Sequence, residues 1–507
     1  MIIDIHTHVP AEAEWPLFLR HCRDNQVTLA ITSALGSWSP FPDRADVRAA
    51  NELACRFAAF ANGMVRWFAY LNPQNDSWEE ELDRCVAEGA CGVKLWISLK
   101  DPDSGSLDSV PPVLRAAGER GLPVLIHTYQ RTDDNLPGEV TVAEFAELAR
   151  GCPDVILIAA HSGGNWRQCL GLLRDVPNTV VDLCGGYPET GMAEALVADL
   201  GADRVLYGSD ALGRSFASQI IKVTFADLSR EDQERILWRN SARLLGLDDA
   251  DLQHADAAAS ALAESPSADM PEWREDHFCF CGQWPFRSNP CASSTALETA
   301  LGEAGIERAF VADAAAVFAF DVLAANRAFV ASASACRRLV PLAAMVPFAP
   351  NWKSILGEAA EHFAGGIIYP FLHNWCLNEP QYEPFFETCA AFGFPLWINV
   401  ATGDIRFRHR GTVCRDVSAT ELVGFLTTAP ENDYVIQGAS AALVRTCLEE
   451  SPRIPRIRFD LSRLSDNSTA LLEVVRDFGW ERLVLGTEFP FRDLRAVRYT
   501  AATLSRA

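Results

Sequence analysis

The chain has 507 residues and carries 44 Lys and Arg against 67 Asp and Glu, a formal charge of -23. Such acidity argues against nucleic acid or an anionic membrane surface as a partner, and no apolar run approaches the ~20 residues of a membrane helix. With 49% hydrophobic residues, the chain can fill two domains or two large α/β barrels of about 250 residues each.

Met1-Ile2-Ile3 opens the chain as a short buried strand rather than a leader, and it runs into Asp4-Ile5-His6-Thr7-His8. Residues two apart in a strand share a face, so His6 and His8 stand side by side at its far end. Two neutral imidazoles on one face make half of a metal site. Alone, an HxH pair is equally well a polar strand end.

Strand-like runs follow at 27–33, 65–71, 92–97, 122–128, 155–161, 179–183 and 205–208, giving eight with the first. Amphipathic helical patterns lie between them, including 78–88, 110–120 and 142–150, closed by Gly89, Gly121 and Gly151. Eight strand–helix repeats in about 250 residues predict a (β/α)8 barrel, whose active sites sit at the C-terminal ends of the strands.

What stands at those ends is consistent. Strand one ends in His6 and His8, strand four carries Lys94, strand five ends at His127, strand six at His161 and strand eight at Asp210. Any one of these histidines is more simply a satisfied core residue. Four of them with an aspartate, all at one end of successive strands, are not.

This set is similar to the amidohydrolase superfamily, within it the amidohydrolase-related group of metal-dependent barrels. The resemblance covers Met1 to Leu247 and includes the closing pattern Asn240-Ser-Ala-Arg-Leu-Leu-Gly-Leu247. It implies that His6, His8, His127 and Asp210 hold a divalent metal, zinc first among the candidates. It implies that His161 faces a bound water or the substrate, or takes a second metal. A carboxylated Lys94 would bridge two metals; otherwise Lys94 pairs with Asp210 or with an anionic substrate. Asp210 and His161 are then the catalytic pair, one moving the proton and the other orienting water or stabilising developing charge. Trp38, Trp96, Tyr129, Arg131, Trp166, Tyr187 and Arg214 are candidates for substrate contact from the loops.

Residues 249–272 turn to Ala, Asp, Ser and Glu and read as a linker between a barrel at 1–248 and a second at 273–507. The second half repeats the first at an offset of about 272–278 residues. Gly121-Leu-Pro-Val-Leu-Ile returns as Gly393-Phe-Pro-Leu-Trp-Ile, and Leu206-Tyr-Gly-Ser-Asp returns as Val484-Leu-Gly-Thr-Glu. Asp4 keeps a partner in Asp276, but His6 and His8 meet Phe278 and Phe280. Lys94 meets Ile368, His127 meets Asn399, His161 meets Gly438 and Asp210 meets Glu488. The copy is therefore expected to be a degenerate barrel without a catalytic metal, serving as support; after its last strand either the barrel is incomplete or the sequence has been cut.

Fifteen scattered cysteines, odd in number, suggest reduced thiols and a cytoplasmic protein, and Cys279-Phe280-Cys281 falls short of a CxxC motif. The sequence thus predicts tandem α/β barrels, the first a metal-dependent hydrolase of an ester, lactone or amide in a small molecule. A non-oxidative decarboxylase is the alternative, and a ligand-binding protein without turnover a third reading. A small-molecule substrate, no nucleic acid, no membrane and a possible homo-oligomer complete the expectations.

Overall fold

The computed structural model describes residues 1–504 except 37, 133, 212, 263–270, 413 and 451–455. The described residues fall into two compact units. The first holds those of 1–268, 405–407 and 503–504, and the second those of 271–404 and 408–502.

The first unit is a parallel barrel built from β1 (Ile3–His8), β2 (Leu29–Ser33), β3 (Val65–Trp67), β4 (Ala69–Leu71), β5 (Val93–Leu95), β6 (Val124–Ile126), β7 (Leu157–Ala159), β8 (Thr179–Asp182) and β9 (Val205–Leu206). The run expected at 65–71 is broken at Phe68 into β3 and β4, so nine segments make eight barrel strands. Strand order follows chain order, every pairing is parallel, and the ring closes where Ile5 N donates to Tyr207 O at 3.1 Å. Helices cover the outside for reasons the sequence states. The helix Val142–Gly151 opens with a capping box between Thr141 and Glu144, which contributes about 1 kcal/mol. It turns Phe145, Ala146 and Ala149 onto Val124, Ile126 and Leu157 of the sheet, each large apolar side chain adding about 2 kcal/mol.

One local irregularity positions the site. The β1–β2 register shifts between Asp4 and Thr7. Ile3 and Ile5 belong to the barrel's inner core with Leu29, Ile31, Leu125 and Ile158, yet His6 and His8 also face the interior cavity. An unbroken period of two would send one pair outward; the bulge re-aims the strand so that both pairs point in.

The stretch expected as a linker is in its first part structured. Asp248 caps a helix at Asp249–Ser260, and its Leu252 and Ala255 are buried with Ile3, Leu29 and Leu206. Alanine, which is poor evidence for a linker, is the best helix former. Residues 263–270 of that stretch lie outside the described residues.

The second unit carries one eight-stranded parallel sheet, β10 (Glu275–Cys281), β11 (Arg308–Asp313), β12 (Leu339–Ala344), β13 (Gly366–Ile368), β14 (Leu396–Asn399), β15 (Tyr434–Gln437), β16 (Ile457–Asp460) and β17 (Leu483–Val484). All eight strands expected of a barrel are present, and His277 N donating to Leu485 O at 2.8 Å joins first to last. Main-chain bonds at the strand ends repeat those of the first unit. Asp4 Oδ1 accepts from the amides of His6 and Ser209, and Asp276 Oδ1 accepts from those of Phe278 and Thr487. The bulge recurs between Asp276 and Cys279. Asp210 N donates to His6 O at 2.8 Å and Glu488 N to Phe278 O at 2.7 Å. The chain is thus a pair of tandem (β/α)8 barrels.

Candidate metal centre

At the C-terminal mouth of the first barrel, His6, His8 and Asp210 bring one ligand atom each within 4.8 Å of one another. The three sit on β1 and just after β9, strands that are neighbours only because the barrel closes. They border a cavity of about 120 Å³ that is also lined by Lys94, His127, His161, Trp38, Trp96, Tyr129 and Arg406.

The histidines are oriented by what their outer nitrogens touch. His8 Nδ1 lies 3.2 Å from Ser33 O, and a carbonyl can only accept, so the proton is on Nδ1 and the Nε2 lone pair faces Asp210 Oδ1 at 3.2 Å. His6 Nδ1 lies 2.9 Å from Asp182 Oδ2, which leaves Nε2 facing the cavity. Burial alone would raise the Asp182 carboxyl, but the His6 and His161 rings outweigh it and hold it well below the usual carboxylate range. His127 Nε2 lies 3.2 Å from Glu139 Oε1. Burial opposes that carboxylate too, yet hydrogen bonds from Arg131 and His127 hold it at about 2, so it accepts and the His127 Nδ1 lone pair turns inward. An acceptor behind each imidazole fixing its tautomer is how metal-binding histidines are supported.

His161 closes the chain of rings. Its Nε2 is 3.1 Å from His127 Nδ1 and its Nδ1 is 3.1 Å from Cys184 Sγ. Burial pushes the Cys184 thiol up, so it stays protonated and donates to His161 Nδ1, and the His161 Nε2 proton points into the site. Burial likewise lowers His6, to about 4, and His127 and His161 below the ordinary histidine value; all three are neutral, the form that ligates metal. The backbone is strained at this corner. His161 and Ser162 have φ of 59° and 46°, and Asp210 has 66°, a left-handed conformation costing about 1–3 kcal/mol in a residue with a side chain.

Lys94 is buried with Nζ 2.9 Å from His6 Nε2, and burial lowers its pKa to about 8. It contacts the imidazole rather than forming a salt bridge to Asp210. An amine that is partly neutral near pH 8 is also the form that reacts with carbon dioxide, so the carboxylated bridge stays chemically open.

The candidate residues therefore separate. His6, His8 and Asp210 form the tight group, with His127, His161 and Lys94 around it. Trp38, Trp96 and Tyr129 line the same cavity, while Trp166 and Tyr187 line a smaller neighbouring one of about 20 Å³. Arg131 grips Glu139 at 2.8 and 2.9 Å and so acts behind His127, and Arg214 lines neither cavity. Asp182, Glu139, Cys184 and Arg406 were not expected. Asp182 had a signal: it recurs as Asp460 in the repeat. Arg406 had none, because it lies far along the chain although it belongs to the first unit, 4.9 Å over the Tyr129 ring.

A divalent metal fits this group. Two imidazoles and a carboxylate are a donor set for zinc and its neighbours, the Nε2 lone pairs of His6 and His8 point inward, and His127 Nδ1, 3.1 Å from His161 Nε2, lies beside them. His6, His161 and Cys184 also bring one ligand atom each within 4.8 Å of one another, but Cys184 Sγ lies 3.0 Å from the His6 Nδ1 that Asp182 already holds.

The second barrel keeps the frame but has other residues at the positions of His6, His8, His127, His161 and Asp210. Phe278 and Phe280 pack at 5.3 Å, and Phe280 against Phe491 at 5.2 Å, where the first barrel has its imidazoles. Gly438 takes φ 74° without strain where His161 is strained. Asp460 accepts from Gly438 N and Ser462 N but meets no imidazole, and burial raises it to about 7, the opposite of Asp182. Glu488 keeps the left-handed backbone of Asp210, with φ 58°, and turns Oε1 to Gly403 N at 2.6 Å. No helix among the described residues is long and apolar enough to cross a membrane.

Solved structures similar to this chain include 2,6-dihydroxybenzoate decarboxylase from Rhizobium, at 19% identity over 49% of this chain and 99% of that one, with a TM-score of 0.38. They also include 4-oxalomesaconate hydratase from Rhodopseudomonas palustris, at 18% identity over 50% and 98% with a TM-score of 0.37. A third is 5-carboxyvanillate decarboxylase from Sphingomonas paucimobilis, at 18% over 45% and 82% with a TM-score of 0.36. A comparison with curated proteins returns no match. The family model for amidohydrolase matches residues 3–247 and again 270–506, one match for each barrel. The chain belongs to the amidohydrolase family, as two copies in tandem.

Proposed function

We propose that the first barrel is a metal-dependent enzyme that hydrolyses an ester, lactone or amide bond of a small molecule. The observation that carries this reading is the group His6, His8 and Asp210, with each imidazole fixed from behind by an acceptor and its lone pair turned inward. His127 completes the ligand set. A divalent metal on these residues would supply activated water, lowering its pKa to about 7. Asp210 is the one carboxylate in the group; burial opposes its charge, but the surrounding His8, His161 and His6 rings outweigh that and hold it well below the usual carboxylate range, so it can take a proton from the attacking water and return it to the leaving group. The His161 Nε2 proton faces His127 Nδ1 at 3.1 Å; with that nitrogen on a metal, the proton would be free to stabilise developing negative charge in the same space. Trp38, Trp96 and Tyr129 exclude water around the rest of the substrate.

Decarboxylation is the second reading, favoured by the buried Lys94 in the cavity wall, a cation that would hold a substrate carboxylate. A screen of esters, lactones, amides and aromatic acids with metal-loaded protein separates the two. Release of acid from an ester or lactone without carbon dioxide is expected. Stoichiometric carbon dioxide from an acid selects the lyase, and no turnover of any class leaves ligand binding as the function.

A further inference from the structure

Trp38 is the only tryptophan among the described residues that is exposed, at 56%. It also has φ 58°, a left-handed backbone that a bulky side chain rarely adopts. Both features oppose folding, since the ring gains little from burial and the backbone is strained. Both occur at the rim of the metal centre. The Trp38 ring stands 5.3 Å from His8 at 67° and 5.5 Å from Trp96 at 86°, and both tryptophans line the cavity. Across it, Tyr129 stacks on His127 at 5.7 Å with only 8° between the planes. The Trp38 and Trp96 rings thus meet edge to face in the cavity wall and leave ring surface toward the space beside His8, an arrangement that receives a further flat ring.

We propose that Trp38 is a specificity-determining residue, holding a planar unsaturated substrate against the metal group by ring-to-ring contact. This rests on the metal-site reading above for the position of the reacting end. A saturated ring of equal size presents C–H bonds and a puckered face to Trp38 and loses the quadrupole term while keeping the area buried.

The test uses the full chain loaded with zinc, and titrates benzoate and cyclohexanecarboxylate, which share charge and size but differ in planarity. Benzoate is expected to bind the natural protein more tightly. Trp38→Ala and Trp38→Leu are expected to weaken benzoate by about 2- to 10-fold, the range of aromatic pair interactions, and cyclohexanecarboxylate by less. Trp38→Phe restores most of the benzoate affinity. Zinc content stays unchanged in all three variants. Equal weakening of both acids, no weakening, or no preference for benzoate in the natural protein overturns the proposal. Loss of zinc from Trp38→Ala also overturns it, by assigning Trp38 to the support of His8. Turnover without metal would sink the metal-site reading instead, and is measured separately.

Discussion

Replacing Asp210 by Asn is expected to lower turnover by about 10²–10⁴-fold, because the proton acceptor beside the metal is lost. It also removes one charge from the donor set, so metal affinity falls with it. The same exchange in the second barrel, Glu488→Gln, meets a carboxylate with the same backbone conformation but no imidazole near it, and is expected to leave turnover and metal content unchanged. Kinetics and metal analysis on the two variants side by side make the comparison. High turnover in Asp210→Asn, or an equal loss in Glu488→Gln, contradicts the assignment of chemistry to the first barrel alone.

Removal of the Asp182 carboxylate is expected to be the most damaging change away from the ligands themselves. Asp182 takes the His6 Nδ1 proton and the backbone amides of His161 and Cys184, at 2.9, 2.8 and 3.1 Å. In Asp182→Ala the His6 ring is no longer held in one tautomer, and metal affinity is expected to fall about 10- to 100-fold. Stability falls as well, by roughly 1–3 kcal/mol for each buried donor left without its acceptor. The contribution has a sign in pH. The folded carboxyl sits below its ordinary value, so its stabilisation is present above that value and is lost as the solution is acidified through the lowered one. Denaturant unfolding and metal titration check both effects. A folded Asp182→Ala that binds metal like the natural protein refutes the positioning role, whereas Asp460→Ala, which serves only backbone amides, is expected to destabilise without touching metal affinity.

Much of the first site was legible because a barrel converts sequence periodicity into place. Once eight strands were counted, His6, His8, His127, His161 and Asp210 had to share one rim. The repeat added a second kind of information: Asp4 and Asp182 return as Asp276 and Asp460, because both hold main-chain amides that any copy of the frame must satisfy. The four histidines do not return, since a frame folds without them. What stayed hidden depends on long-range contact. Glu139 and Cys184 lie on loops whose course no periodicity describes, and Arg406 reaches its unit from far along the chain. The linker reading failed in its first half for a local reason, since an alanine-rich stretch capped by Asp248 prefers helix and finds apolar partners in Ile3 and Leu206.

The most direct test of the account is turnover before and after the metal is stripped with a chelator, with metal per chain measured on each sample. Activity is expected to disappear with the metal and to return when a divalent ion is added back, and a His6→Ala/His8→Ala double variant is expected to regain neither metal nor rate. Undiminished turnover in metal-free protein, or in that double variant, would contradict it.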